Sequence, residues 1–203
     1  NSKTVVDKHI EVCHVDAVSE NKNSKISRIK KFLLMSWRMY RVAKNNIKKG
    51  DHVLMVTNPF PLIVLMGHLR RHRKFDLTML VHDVAPENLY TDIHIPEMVY
   101  PTVKRVFNKA YASTDLLISL GRDMSEVLEQ KVKDGLKGFG VSERFEELPR
   151  IEVIENWGDI ENIHPTDGFE EEKITIQYAG NIGNAQGVGE LVDVLHDAKC
   201  EQV

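Results

Sequence analysis

Leu77-Thr-Met-Leu-Val81 runs directly into His82-Asp83-Val-Ala-Pro86-Glu87. The apolar run is too short for a helix and too continuous for a strand with one wet face. It reads as a strand buried on both sides, as in parallel sheets covered by helices. Two chemistry-bearing side chains, His82 and Asp83, then stand just past the strand, before Pro86 opens a turn.

The same arrangement recurs along the chain. Val53-Leu-Met-Val56 ends in Thr57-Asn58-Pro59-Phe60-Pro61, Leu116-Leu-Ile-Ser119 leads to Gly121-Arg122, and Ile151-Glu-Val-Ile154 leads to Asn156-Trp157. Ile174-Thr-Ile-Gln-Tyr178 breaks into Ala-Gly180-Asn181-Ile-Gly183-Asn-Ala-Gln186-Gly187. Helical spacing follows it, with Val188, Leu191, Val192 and Leu195 on one side. Further helices are predicted over residues 62–73, 98–112 and 124–136. Upstream, residues 5–18 alternate loosely and read as one strand. A helix capped by Ser24 or Ser27 is predicted to run to about Lys49, where Gly50 stops it, with Phe32, Leu33, Trp37 and Tyr40 on or near one face. Residues 138–149 read as a surface loop, and 159–172, with Pro165, Gly168 and three consecutive glutamates, as a linker.

Strands alternating with helices predict an α/β fold: a Rossmann-like parallel sheet with helices on both faces over residues 1–158, and the start of a second Rossmann-like domain over 173–203. Ligands in such folds sit beyond the carboxyl ends of the strands. The residues to weigh are therefore Asn58, His82, Asp83, Arg122, Asn156 and the turn from Gly180 to Gly187.

Composition narrows the classes. With 203 residues, 42% hydrophobic and 28% charged, the chain can bury a sizeable core. Its two cysteines, Cys13 and Cys200, are far apart and suit a reducing cytoplasm rather than a disulfide framework or zinc site. No apolar run approaches the ~20 residues of a membrane-spanning helix. No signal-peptide pattern follows Asn1, and the chain reads as a piece of something longer. The net charge of −3 conceals a polarity: residues 1–82 hold 16 Lys/Arg against 6 Asp/Glu, and residues 83–203 hold 11 against 24. Ten basic and no acidic residues lie between Asn21 and Gly50. That segment also carries Trp37 and Tyr40, so its helix suits either an anionic membrane surface or a core-facing role with a solvated basic face. Arg70, Arg71 and Arg73 add to the same basic half.

Each site candidate has a plainer alternative. His82 can donate to a substrate hydroxyl, with Asp83 orienting the imidazole or binding another hydroxyl, or His82 can make only a local hydrogen bond. Asn58 can touch a ligand or cap the next helix. Arg122 can clamp a phosphate or pair with Asp123. The Gly180–Gly187 turn leaves backbone N–H groups at a helix start, where the dipole favours an anion. Its Gly-x-x-Gly-x-x-x-Gly spacing is neither the dinucleotide fingerprint nor a Walker loop, and the turn can be packing alone. Metal-ligand spacings are lacking, as is a Gly-x-Ser-x-Gly elbow.

Taken in order, Val81-His82-Asp83-Val-Ala-Pro86, Ser113-Thr-Asp115-Leu-Leu-Ile-Ser119, Ile151-Glu-Val-Ile154-Glu-Asn156-Trp157-Gly-Asp159 and Tyr178-Ala-Gly180-Asn181-Ile-Gly183-Asn-Ala-Gln186-Gly187 resemble glycosyltransferase family 4, in its branch for bacterial capsular and lipopolysaccharide chains. The resemblance spans residues of about 53 to 196. It implies a GT-B fold, with the acceptor on the first domain and a nucleotide-sugar donor mainly on the second. It further implies His82 near the transferred sugar as a catalytic residue with Asp83, and Asn58 and Arg122 toward the acceptor. Asn156, Gly180, Asn181, Gly183 and Gln186 would face the donor. Asn181 and Gln186 replace the Arg and Lys that many members carry, so charge neutralisation would come from elsewhere. The chain ends before the paired-glutamate motif and lacks the family's first strand and glycine-rich loop, so by itself it is expected to be inactive.

The expected activity is hexose transfer from a nucleotide sugar, which is a substrate rather than a cofactor, to a glycan acceptor, expected to be lipid-linked. The resemblance implies retention of configuration, no essential metal, and work as a peripheral enzyme at the inner face of the plasma membrane. The alternatives are a GT-B nucleotide-sugar epimerase and a non-enzymatic polyanion-binding module. The acidic second half and absence of a nucleic-acid motif oppose nucleic acid as partner.

Overall fold

The computed structural model describes residues 3–7, 10–19, 24–88, 95–137, 148–159, 161–162, 164, 176–180, 182 and 187–197. The chain divides into two compact units, Asn1–Asn156 and Trp157–Val203.

The first unit opens with an antiparallel pair, β1 (Lys3–Asp7) and β2 (Ile10–Cys13), where the sequence suggested one strand over 5–18. Loose alternation marks extended chain but not where it reverses. Helix α1 (Lys25–Asn46) follows, its N-terminus capped by the Ser24 hydroxyl accepting from the Ser27 N–H at 3.3 Å. It ends three residues before the predicted Lys49, at an extended Ile47. Gly50, at φ 87°, turns the chain into the sheet rather than ending the helix.

The sheet contains β3 (His52–Val56), β4 (Asp76–Val81), β5 (Leu116–Ser119) and β6 (Arg150–Val153), all parallel and side by side in that order. Helices α2 (Phe60–His72), α3 (Tyr100–Tyr111) and α4 (Arg122–Lys137) lie between successive strands. This is the α/β, Rossmann-like architecture that the apolar runs predicted.

Coverage of the two sheet faces is unequal. Leu77, Met79 and Val81 are fully buried, whereas Thr78 and Leu80 between them are half-buried, and Leu54 on β3 is 68% exposed. Right-handed crossovers advancing in one direction along a sheet stack their helices on one face. One cluster accordingly joins Met55, Leu77, Met79, Val81 and Leu117 to Ile63 and Met66 of α2, Phe107 and Tyr111 of α3, and Leu128 and Val132 of α4.

One ion pair ties the crossovers together. The Arg70 guanidinium grips both oxygens of Asp115 at 2.6 and 2.7 Å, and one of those oxygens also accepts the Leu77 N–H at 2.7 Å. The bidentate fork fixes α2 to the β4–β5 junction.

In the second unit, α5 (Val188–Asp197) begins at Gly187, whose φ is 61° and whose carbonyl accepts the Leu191 N–H. The predicted strand over 174–178 is not formed in its described part: Ile176, Gln177 and Tyr178 are irregular and exposed. Among the described residues of this unit no strand stands beside the run to complete its ladder. Ile174 and Thr175 lie outside the described residues.

Candidate functional site

Because all four strands are parallel, their carboxyl ends share one edge of the sheet, and with them Asn58, His82-Asp83, Arg122 and Asn156. All five side chains are exposed. Strand ends, not side-chain contacts, bring them to this edge. Among the donor-side candidates, Gly180 is exposed in the second unit, while Asn181, Gly183 and Gln186 lie outside the described residues.

The loop after β4 is held through its backbone. Thr57, buried at the end of β3, accepts the N–H groups of His82 and Asp83 with one hydroxyl, at 3.2 and 3.3 Å. The fully buried Tyr111 hydroxyl accepts the Ala85 N–H at 3.0 Å. Both strand-end loops contain a cis X–Pro bond, Asn58–Pro59 and Ala85–Pro86. The tethers leave the His82 imidazole in solvent while fixing the chain that carries it.

Two suggested local roles are not those observed. The Asp83 carboxylate does not orient the His82 ring: its described partner is Asn88, whose amide donates at 2.7 Å. The next-but-four residue reaches the carboxylate because the loop curls into a turn after Pro86. Asn58 does not cap α2: Pro59 occupies the N-cap and no side chain caps it.

At Arg122 the helix start already carries its own anion. A Cβ on Gly121 would stand 2.8 Å from an Asp123 carboxylate oxygen, so that carboxylate lies back toward Gly121 in the first turn of α4.

The basic patch expected from Arg70, Arg71 and Arg73 is not a continuous free surface. Arg70 is bound to Asp115, and Arg73 donates to the carbonyls of Lys44 and Ile47 at 2.6 and 3.3 Å. Arg71 approaches the His68 ring at 3.5 Å, and burial lowers its pKa. The helix ends here against other chain segments, whose carbonyls and carboxylate compete for the guanidinium groups.

Residues that sequence reasoning passed over complete the site's support. Lys131 is 2% exposed, on the same face of α4 as Leu128, Val132 and Gly135. Its ammonium lies 2.6 and 2.8 Å from the two Glu87 carboxylate oxygens and 3.4 Å from the Asn108 carbonyl oxygen. Burial lowers the Lys131 pKa, and Glu87 works against that shift. A lysine in the apolar register of an amphipathic helix was the available signal. Thr57 gave none, since threonine is common in strands. Among the described residues, no group of three or more His, Cys, Asp or Glu is placed to hold a metal ion.

Fold and edge together define a Rossmann-like α/β protein with polar residues gathered where such sheets take ligands. Over 194 residues, 90% of its length, the chain is 29% identical to a Pseudomonas aeruginosa protein named "Probable glycosyltransferase WbjE". It spans 45% of that relative. No family model matches the chain, and no solved structure matches it.

Proposed function

We propose that the chain is the acceptor-side part of a GT-B glycosyltransferase of the family 4 type, transferring a hexose from a nucleotide sugar to a glycan, lipid-linked acceptor in bacterial surface-polysaccharide synthesis. The observation that carries this is the likeness to a protein named a glycosyltransferase, extending over nearly the whole chain. The exposed His82-Asp83 pair on the carboxyl edge of a parallel sheet supplies a fitting site. In this reading His82 meets the reacting sugar and Asp83, turned by Asn88, receives an acceptor hydroxyl. Asn58 and Arg122 line the acceptor side. Asn156 and the turn containing Gly180, Asn181, Gly183 and Gln186 serve the donor, whose diphosphate leaving group is stabilised by backbone N–H groups and the helix dipole. Neither a cofactor nor a metal takes part.

The test is transfer of labelled sugar by the intact protein, using UDP-, GDP- and dTDP-hexoses with lipid-linked and free glycan acceptors. Transfer that persists in EDTA and needs the lipid-linked acceptor is expected. Interconversion of the donors without transfer would favour an epimerase instead.

An anionic membrane surface is the proposed docking partner. On α1, Ile26, Lys30, Leu33, Trp37, Arg41 and Lys44 follow one another at three- and four-residue steps, and all are exposed. Ile26, Leu33 and Trp37 are 79, 56 and 49% exposed. The adjoining side of the helix packs on α2, with Tyr40 in the core, its ring 5.7 Å from that of Trp37, and Phe32 against Phe60 at 6.4 Å between ring centroids. Of the two roles the sequence allows α1, the structure supports parts of both: helical geometry gives it more apolar residues than one buried face accommodates. Apolar anchors among cations suit the headgroup layer of an anionic bilayer. No described helix is long and apolar enough to cross a membrane. The intact protein is expected to co-sediment with phosphatidylglycerol vesicles, to be released as salt shortens the screening length below ~10 Å, and to lose binding with Trp37→Glu. Salt-insensitive binding that survives Trp37→Glu would exclude this face.

A further inference from the structure

The buried cluster around Lys131 is unexplained by folding alone. A lysine ammonium taken out of water is unfavourable unless well paired, and an apolar side chain of similar size at such a place is often as stable or more so. Here the pair is made with a residue of the candidate loop. Glu87 lies five residues after His82, and its carboxylate reaches Lys131 with both oxygens, while Lys104 approaches one of them at 3.7 Å. Asn108, also buried, turns its side-chain oxygen to the same ammonium. The Lys131 nitrogen lies 5.8 Å from the centre of the Tyr111 ring, whose hydroxyl accepts the Ala85 N–H. Thr57 fixes the beginning of the loop, Tyr111 its middle, and Lys131 its end, where Asn88 in turn holds Asp83.

We propose that Lys131 is a positioning residue: through Glu87 it fastens the end of the 82–88 loop to α4, so that His82 and Asp83 are presented at the sheet edge in one arrangement. This deepens the assignment of that pair to the reaction and rests on it. Lys131 touches no reacting group in this scheme. It acts by holding the turn in which Asn88 bonds Asp83, and by removing the freedom that the end of the loop would have if it were held by Thr57 and Tyr111 alone.

The experiment compares Lys131→Met and Glu87→Ala with the unsubstituted intact protein. Methionine fills the lysine's path, and Glu87, whose side chain is 37% exposed, can turn to water. The fold should therefore survive, with cooperative melting retained. Amide exchange in residues 83–88 is expected to quicken about tenfold while the β4 amides stay protected, because the opening is local. Turnover should fall about tenfold with the donor KM nearly unchanged, the pattern of a misplaced catalytic group. The two substitutions combined should do little more than either alone, since both remove one tether. Loop exchange that does not change, or that rises equally throughout α4 and the sheet, would overturn the proposal. So would faster loop exchange with full turnover. If Lys131→Met does not fold, Glu87→Ala decides by the same two measurements. Exchange is measured without substrate, so an incorrect transferase assignment, seen as absence of transfer by the unsubstituted protein, is separable from failure of the tether.

Discussion

His82→Ala in the intact protein is expected to reduce turnover by about two orders of magnitude or more, the usual scale for a positioned proton-transfer group, while the melting temperature hardly moves. The separation follows from how the residue is held. Its side chain is exposed, so removing the imidazole opens no cavity, and its contribution to the fold is the N–H given to Thr57, which alanine keeps. Asp83→Asn should lower turnover less if the carboxylate only receives an acceptor hydroxyl, because an amide oxygen still accepts. Thr57→Val is the contrasting substitution. It preserves shape in the buried site but leaves two N–H groups without their acceptor, so stability and turnover should fall together. A His82→Ala protein with normal turnover would show that the histidine merely ends a strand.

The largest expected loss of stability comes from a single methyl group. A Cβ on Gly135 would stand 2.7 Å from the Asn108 carbonyl carbon and 2.9 Å from the Ala112 Cβ, in the crossing between α4 and α3. Backbone and a buried methyl cannot swing aside as a long side chain can. Gly135→Ala should therefore separate the helices and destabilise by about 3 kcal/mol, at the upper end for overpacking. That corresponds to a fall in Tm of roughly 6–12 °C for a domain of this size. Gly67→Ala, facing Ala110 at 2.9–3.0 Å, should act in the same direction more weakly. Gly189→Ala in α5 is the control: its Cβ meets nothing within 4 Å, and alanine is the better helix former by about 1 kcal/mol. Calorimetry on the three proteins checks both the sign and the order.

Gly135 also shows where the sequence stops being informative. On α4 it falls among Leu128, Lys131 and Val132 at helical spacing, so its face is legible, but nothing local says that a neighbouring backbone passes within contact. The same holds for Asp115. It stands before an apolar strand as many aspartates do, and its fork with Arg70, 45 residues earlier, exists only once β4 and β5 are paired.

Between the first helix and the last strand of the sheet, what the sequence determined by itself was the order of elements and the edge at which polar residues gather. Apolar runs of four or five residues, each followed by a break, are a local property, and parallel pairing then places every break on one side of the sheet. His82, Asp83, Asn58, Arg122 and Asn156 reached that edge for this reason alone. Tertiary structure decided which groups are free to act. Arg70 and Arg73 are basic in any reading of the chain, yet are engaged by a carboxylate and by carbonyls from distant segments. Leu33 and Trp37 are apolar in any reading, yet remain outside because α1 turns another side to α2. Lys131 stands in the apolar register of α4, but its partner is known only when Glu87 is folded over it. Periodicity and propensity act between neighbours in sequence. Pairing and burial are settled between segments tens of residues apart, and only the packed chain brings those within hydrogen-bonding reach.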